Sequence, residues 1–239
     1  MKKLTISYVL LILFATTIVS VQASMEIQAI IDQTVHVTFD VKSVDPEIYT
    51  EIVNASLLSV STIPESINDV FEQKNWANAR CDYDPAQEIF SDSTKSIHVE
   101  FYLTGSDVLN STMNAMRMTK TYNVRTDWRE FRLNLTLDLS IDFAEIFATP
   151  VSSWDQINYT SSGKQHPAYN YTSTTPSQIE PSFYFILPEK ATNVHAIRDT
   201  IIFDTPYSLE EALLNSPFLI LFAVIIIVIV AAIFHRIRR

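Results

Sequence analysis

Phe131-Arg-Leu-Asn-Leu-Thr-Leu-Asp-Leu-Ser-Ile-Asp-Phe143 is the stretch on which the fold class turns. Phe131, Leu133, Leu135, Leu137, Leu139, Ile141 and Phe143 alternate with Arg132, Asn134, Thr136, Asp138, Ser140 and Asp142. Successive side chains of a strand point to opposite faces, so this period of two predicts one long strand with a buried and a wet side. The same period recurs on both flanks. Met116, Met118, Tyr122 and Val124 alternate with polar residues, and the short Thr126-Asp127-Trp128 link predicts a hairpin between 116–125 and 131–143. Ile97, Val99, Phe101 and Leu103 mark a third strand; Val35, Val37, Phe39 and Val41 mark a fourth, preceded by 27–31 across an Asp32-Gln33 turn. Residues 182–187, 194–197 and 200–203 bring the total to seven or eight, the last two at hairpin spacing around Arg198-Asp199.

Two helices interrupt these strands. Asp45-Pro46 offers an N-cap with proline at the first helical position, ahead of an apolar stripe of Ile48, Ile52 and Ala55 with Tyr49 and Val53. Thr62-Ile-Pro-Glu65 fits a capping box before Ile67, Val70 and Phe71. A third short helix is expected within 143–154, limited by Pro150. Residues 158–178, rich in Ser, Thr, Tyr, Asn and Pro, read as a long surface loop. The fold class is therefore α+β: a β-rich, mainly antiparallel domain with two or three short helices.

Both ends of the chain point to a membrane. Lys2 and Lys3, an apolar run over 6–21 and the small-residue site Val21-Gln22-Ala23 predict a signal peptide over 1–23, with the mature chain starting at Ser24. Residues 217–234 are 18 uncharged positions, about 27 Å as a helix, enough to cross a bilayer. His235-Arg236-Ile237-Arg238-Arg239 follows at once, and Glu210 and Glu211 precede, so the positive-inside bias places 24–216 outside and the tail 235–239 in the cytoplasm. A capping box at 208–211 leads into the apolar run without a flexible stalk. The apolar segment with its closing arginines also resembles prokaryotic C-terminal sorting signals, although Asn215-Ser216-Pro217-Phe218 lacks their recognition motif. The plan of signal, β-rich ectodomain, single helix and short basic tail resembles that of surface proteins of prokaryotes, archaea especially.

Composition narrows the chemistry. Gly105 and Gly163 are the only glycines, so a P-loop, a dinucleotide fingerprint and a glycine-flanked nucleophile elbow cannot be built. In 24–216, 12 basic residues face 27 acidic ones, a net charge of −15. That field repels phosphate backbones and makes nucleic acid and anionic lipid poor partners for the region. Cys81 is the single cysteine, so the core alone holds the fold. Anionic neighbours Asp82 and Asp84 argue against a reactive thiolate.

The residues left for function are few. Five Asn-x-Ser/Thr sequons, at Asn54, Asn110, Asn134, Asn158 and Asn170, are candidate glycosylation sites. His36, Thr38 and Asp40 share one face of a strand, and His98 and Glu100 one face of another, a composite that could in principle ligate a metal but lacks a recurrent metal spacing. His166 and His195 have no motif, and no cofactor site is expected. Tyr159, Tyr169 and Tyr171 with His166 form a candidate partner-contact loop, since tyrosine gives contact area at low entropic cost. The reading is a non-enzymatic, single-pass, membrane-anchored ectodomain that binds a protein partner at the membrane or serves in an envelope complex. The alternatives are an extracytoplasmic hydrolase or metal-dependent enzyme, and a passive glycosylated envelope or adhesion component.

Overall fold

The computed structural model describes residues 23–59, 63–83, 89–114, 117–134, 140–172, 179–207 and 224–227. Among them the chain is β-rich and mainly antiparallel with few short helices, as the alternating runs predict. The strands are β1 (Ala23–Ile31), β2 (Val35–Lys42), β3 (Arg80–Tyr83), β4 (Ile89–Ser91), β5 (Ser96–Thr104), β6 (Leu109–Asn114), β7 (Thr119–Arg125), β8 (Arg132–Asn134), β9 (Ser140–Asp142), β10 (Asp155–Ser161), β11 (Lys164–Thr172), β12 (Ile179–Ile186), β13 (Thr192–Ile197) and β14 (Thr200–Pro206). Helices α1 (Pro46–Ser59) and α2 (Ile63–Gln73) stand at the expected places, and Asp45 caps the first by accepting the Glu47 N–H at 2.9 Å.

Eight strands form a large sheet in the order β10-β11-β12-β1-β2-β5-β3, with β4 also paired to β5. Every pairing is antiparallel except β1 with β12, which sets Ala23 beside Ile179, 156 positions later. A second sheet has the order β13-β14-β7-β6, and β8 pairs with β9 alone. The inner face of the large sheet carries Ile27, Ala29, Val37, Phe39, Val99, Phe101, Phe183 and Phe185, all at 1% exposure or less. Against it pack Trp128, Phe131, Phe143, Phe147 and Trp154, linked ring to ring at 5.1–6.1 Å. Val124, Ile201 and Phe203 of the smaller sheet join the same buried cluster. Edge-to-face aromatic contacts of this kind stabilise beyond the area they bury.

The structure corrects four sequence readings. The run 131–143 is not one strand: β8 and β9 lie antiparallel, with Arg132 opposite Asp142 and Leu133 opposite Ile141. A single strand of that length would run about 43 Å, longer than the nine-residue strands β1 and β5. Asp142 ends it by capping a helical turn, α3 (Phe143–Ile146), where it accepts the Ala144 N–H at 2.8 Å. Leu135, Leu137 and Leu139 lie outside the described residues. Next, β7 pairs with β6 and β14 rather than with 131–143. The link 126–131 instead turns into the core, where Trp128 donates its ring N–H to the Arg125 carbonyl at 3.1 Å.

The third correction concerns the loop expected over 158–178: strands replace it over 158–172, and 173–178 lie outside the described residues. β10 and β11 form a hairpin closed by Ser162 and Gly163, both at positive φ, 51° and 77°. Two consecutive positive φ values are what a two-residue turn matched to strand twist requires, and the Ser-Gly pair supplies them. Fourth, fourteen strands are present among the described residues instead of seven or eight. The expected helix in 143–154 is divided into α3 and a 3-10 turn, Val151–Ser153, on either side of Pro150. The readings for 1–22 and 208–216 lie outside the described residues, as does most of 217–234, of which 224–227 are helical. Among the described residues no helix is long and apolar enough to cross a membrane.

Candidate functional site

Because the inner face of the large sheet takes every second residue, the intervening ones are forced onto its outer face. On neighbouring strands register then makes them partners: Glu26 stands opposite Asp40, Asp40 opposite His98, Thr38 opposite Glu100, and His36 opposite Tyr102. The histidines and acids singled out in the sequence do meet. The Asp40 carboxylate lies 2.8 Å from His98 Nδ1, and His98 Nε2 lies 2.8 Å from one oxygen of Glu100. The other oxygen of Glu100 is 2.9 Å from His36 Nε2, and the His36 ring stacks on Tyr102 at 4.4 Å with 7° between planes.

With a carboxylate at each ring nitrogen, His98 can donate from both when protonated, an arrangement that favours the imidazolium. Partial burial opposes that charge, but the hydrogen bonds and charges of Asp40 and Glu100 outweigh it and raise the pKa above the ordinary histidine value. Glu100 is displaced the other way. Burial raises its carboxyl, yet the hydrogen bonds from His98 and His36 prevail and lower it. His36, Asp40, His98 and Glu100 remain between 21% and 28% exposed, so the row is open to solvent yet fixed by its own bonds.

A second group adjoins it. Glu26 Oε1 accepts from Gln28 Nε2 at 2.7 Å and from the Tyr159 hydroxyl at 3.2 Å, and that hydroxyl accepts from Gln28 at 3.0 Å. Burial, then the Glu26 charge, push the Tyr159 hydroxyl up to about 12, so it stays a proton donor. Tyr184 lies beside it at 5.1 Å between ring centres. Two bonded groups thus share the outer face as a strip, Tyr159, Gln28 and Glu26 in one and Asp40, His98, Glu100 and His36 in the other, and they adjoin where Glu26 stands opposite Asp40.

The candidate tyrosine loop is thus divided by the strand period. Tyr159 joins the strip, whereas Tyr169 is 4% exposed on the inner face and Tyr171 stands 5.4 Å from Trp154. His166 points its Nδ1 at the Leu187 carbonyl at 3.0 Å, and His195 at the Asn193 carbonyl at 2.8 Å, so each is engaged locally. Glu26, Gln28, Tyr102 and Tyr184 were not singled out in the sequence. Glu26 and Gln28 were legible as the wet positions between Met25, Ile27 and Ala29, but nothing local shows that β10 and β12 will lie beside β1.

Among the described residues no group of three or more His, Cys, Asp and Glu is placed to hold a metal ion. Both ring nitrogens of His98 are taken up by carboxylate oxygens at 2.8 Å. Cys81 is buried at 3% exposure, and burial, with Asp82 behind it, pushes the thiol up to about 12. Asn68 of α2 accepts the Cys81 N–H at 2.8 Å and donates to its carbonyl at 3.3 Å. One side-chain amide so occupies the outer edge of β3 and blocks further strand pairing there. An open cleft of ≈ 800 Å³ lies beside it, between α2 and β3.

The sequons differ in access. Asn54, Asn110 and Asn158 are exposed, the backbone of Asn134 lies in β8, and Asn170 is half-buried on the outer face of the large sheet with its Oδ1 enclosed. No protein family, curated protein or solved structure matches this chain.

Proposed function

We propose that the chain is a single-pass membrane-anchored ectodomain whose large sheet docks a protein partner through its outer face. The observation that supports this reading is the strip from Tyr159 to Tyr102, held by hydrogen bonds within its two groups and by the stacking of Tyr102 on His36. A surface already held in its bound arrangement loses little side-chain entropy on association, which is where binding energy is otherwise spent. Tyr102, 38% exposed over the His36 ring, offers a rigid aromatic anchor of the kind that dominates interface energies. Three carboxylates, Glu26, Asp40 and Glu100, make the strip rich in acceptors, so a partner face rich in Lys, Arg or amide donors is complementary.

The anchoring half of the reading rests on 217–234, with its basic flank and acidic approach. Exposed Asn54, Asn110 and Asn158 suit an extracellular surface. The test is purification of the full chain from its native membranes in mild detergent, wild type beside Tyr102→Ser and Glu26→Gln. Recovery of the co-purifying protein should fall at least tenfold in both variants, while Thr112→Ser on the second sheet leaves it unchanged. Equal recovery from all four, with melting temperatures preserved, contradicts the proposal.

A further inference from the structure

The point where the domain hands the chain on to its apolar segment is fixed in the structure. Tyr207, just past β14, donates its N–H to the Met118 carbonyl at 3.2 Å, and its hydroxyl reaches the Asn114 carbonyl at 3.5 Å. Both acceptors belong to the connected end of β6 and β7. Nine residues, 208–216, separate Tyr207 from Pro217, a reach of no more than about 36 Å even when fully extended. Of the two ends of the smaller sheet, the end with Met118 is the one from which the chain leaves toward the apolar run.

That end has an unusual surface. Met113 is 46% exposed and Met118 37%, with Arg117 between them in sequence and Lys120 opposite Met113 in register. Met118 takes φ 52°, a conformation that a residue with a Cβ seldom adopts and that glycine or asparagine reaches more cheaply. The turn thus spends conformational energy to hold an apolar side chain in the open. Two flexible thioethers beside two cations, in a region of net charge −15, match the boundary of a bilayer, where apolar groups meet acyl chains and cations meet phosphates.

We propose that the β6–β7 end, through Met113, Met118, Arg117 and Lys120, sits in the headgroup layer of the same bilayer that holds 217–234. The domain then stands on the membrane by two points, its tether and this hairpin. This inference rests on the anchored reading above, and its test separates the two. In a Cys81→Ala background, the full chain is labelled with an environment-sensitive fluorophore at Met113→Cys, Met118→Cys, Ile197→Cys or Ile225→Cys and reconstituted in phosphatidylcholine vesicles carrying lipid spin-labelled near the headgroup or along the acyl chain. Ile197, 58% exposed, is the control, since it lies at the opposite end of the same sheet, about one strand length or 20 Å away.

Positions 113, 118 and 225 should be quenched by the spin-labelled lipid and 197 should not. Lys120→Cys serves as a further reporter if either methionine variant melts below the parent. Quenching at 225 alone leaves the anchor standing and overturns the hairpin contact. Quenching at 197 as strong as at 118 also overturns it, because adsorption would then lack orientation. Absence of quenching at 225 removes the anchor, and the inference with it.

Discussion

On β5, Ile97, Val99, Phe101 and Leu103 face the core at 1% exposure or less, whereas His98 and Glu100 between them keep a fifth to a quarter of their side chains in water. The two faces of one strand are thus held by different forces. The inner face is secured by area and shape, which are non-directional and large. The outer face is secured by directed bonds between charged groups, each worth little net in partial contact with water but strict in geometry. The difference teaches where stability and where recognition reside in this sheet: the aromatic side resists unfolding, and the polar side sets out a fixed pattern.

The sharpest way to break that division is to truncate neighbouring aromatics on β12. Phe183 is fully buried against Phe147 at 5.3 Å, Trp128 at 5.9 Å and Trp154 at 5.8 Å. Phe183→Ala should cost about 3–5 kcal/mol in denaturant unfolding of the full chain in detergent, the range for large buried aromatics. Tyr184→Ala, one residue along and on the strip, should cost under about 1.5 kcal/mol. Equal costs would erase the distinction between the faces.

A smaller effect tests the charge on His98. Its folded pKa is raised, so the stability it contributes is present below the ordinary histidine value near 6.5 and is lost as pH rises through the folded value. With the imidazole partly in water, the loss should be a few tenths to about 1 kcal/mol. Melting temperature followed from pH 6 to 9 should show this decline in the wild type and not in His98→Gln. A wild-type profile that climbs over the same window contradicts the double-donor assignment.

The least perturbing test concerns glycans, with no change in stability at stake. A glycan on Asn170 would cover the strip beside Tyr184, whereas Asn54, Asn110 and Asn158 are exposed away from it. Glycopeptide mass spectrometry of the native protein should find Asn170 bare whatever the occupancy of the other three. An occupied Asn170 contradicts a docking role for this face.

How much was legible follows the range of each signal. The alternation of 35–41 and 97–103 is local, and it placed β2, β5 and the His and carboxylate row on one face correctly. Alternation reports a face but not a length, so the run 131–143 reads as one strand although it folds back on itself between Arg132 and Asp142. Composition misled over 158–178, since Ser, Thr and Asn are common in loops and the two-residue Ser-Gly turn was the better signal. The strip as a whole was not legible, because the parallel pairing of β1 with β12 joins segments about 150 residues apart.

Site-specific photo-crosslinking shows which face of the domain meets the partner. The full chain, kept in its native membranes, carries a photoreactive phenylalanine analogue either at Tyr102 on the strip or at exposed Thr112 on the second sheet. Irradiation at Tyr102 should yield one discrete protein adduct that disappears in a Glu26→Gln background, and irradiation at Thr112 should yield none of that mass. The same adduct from both positions, or none from Tyr102, contradicts a docking surface on the outer face of the large sheet.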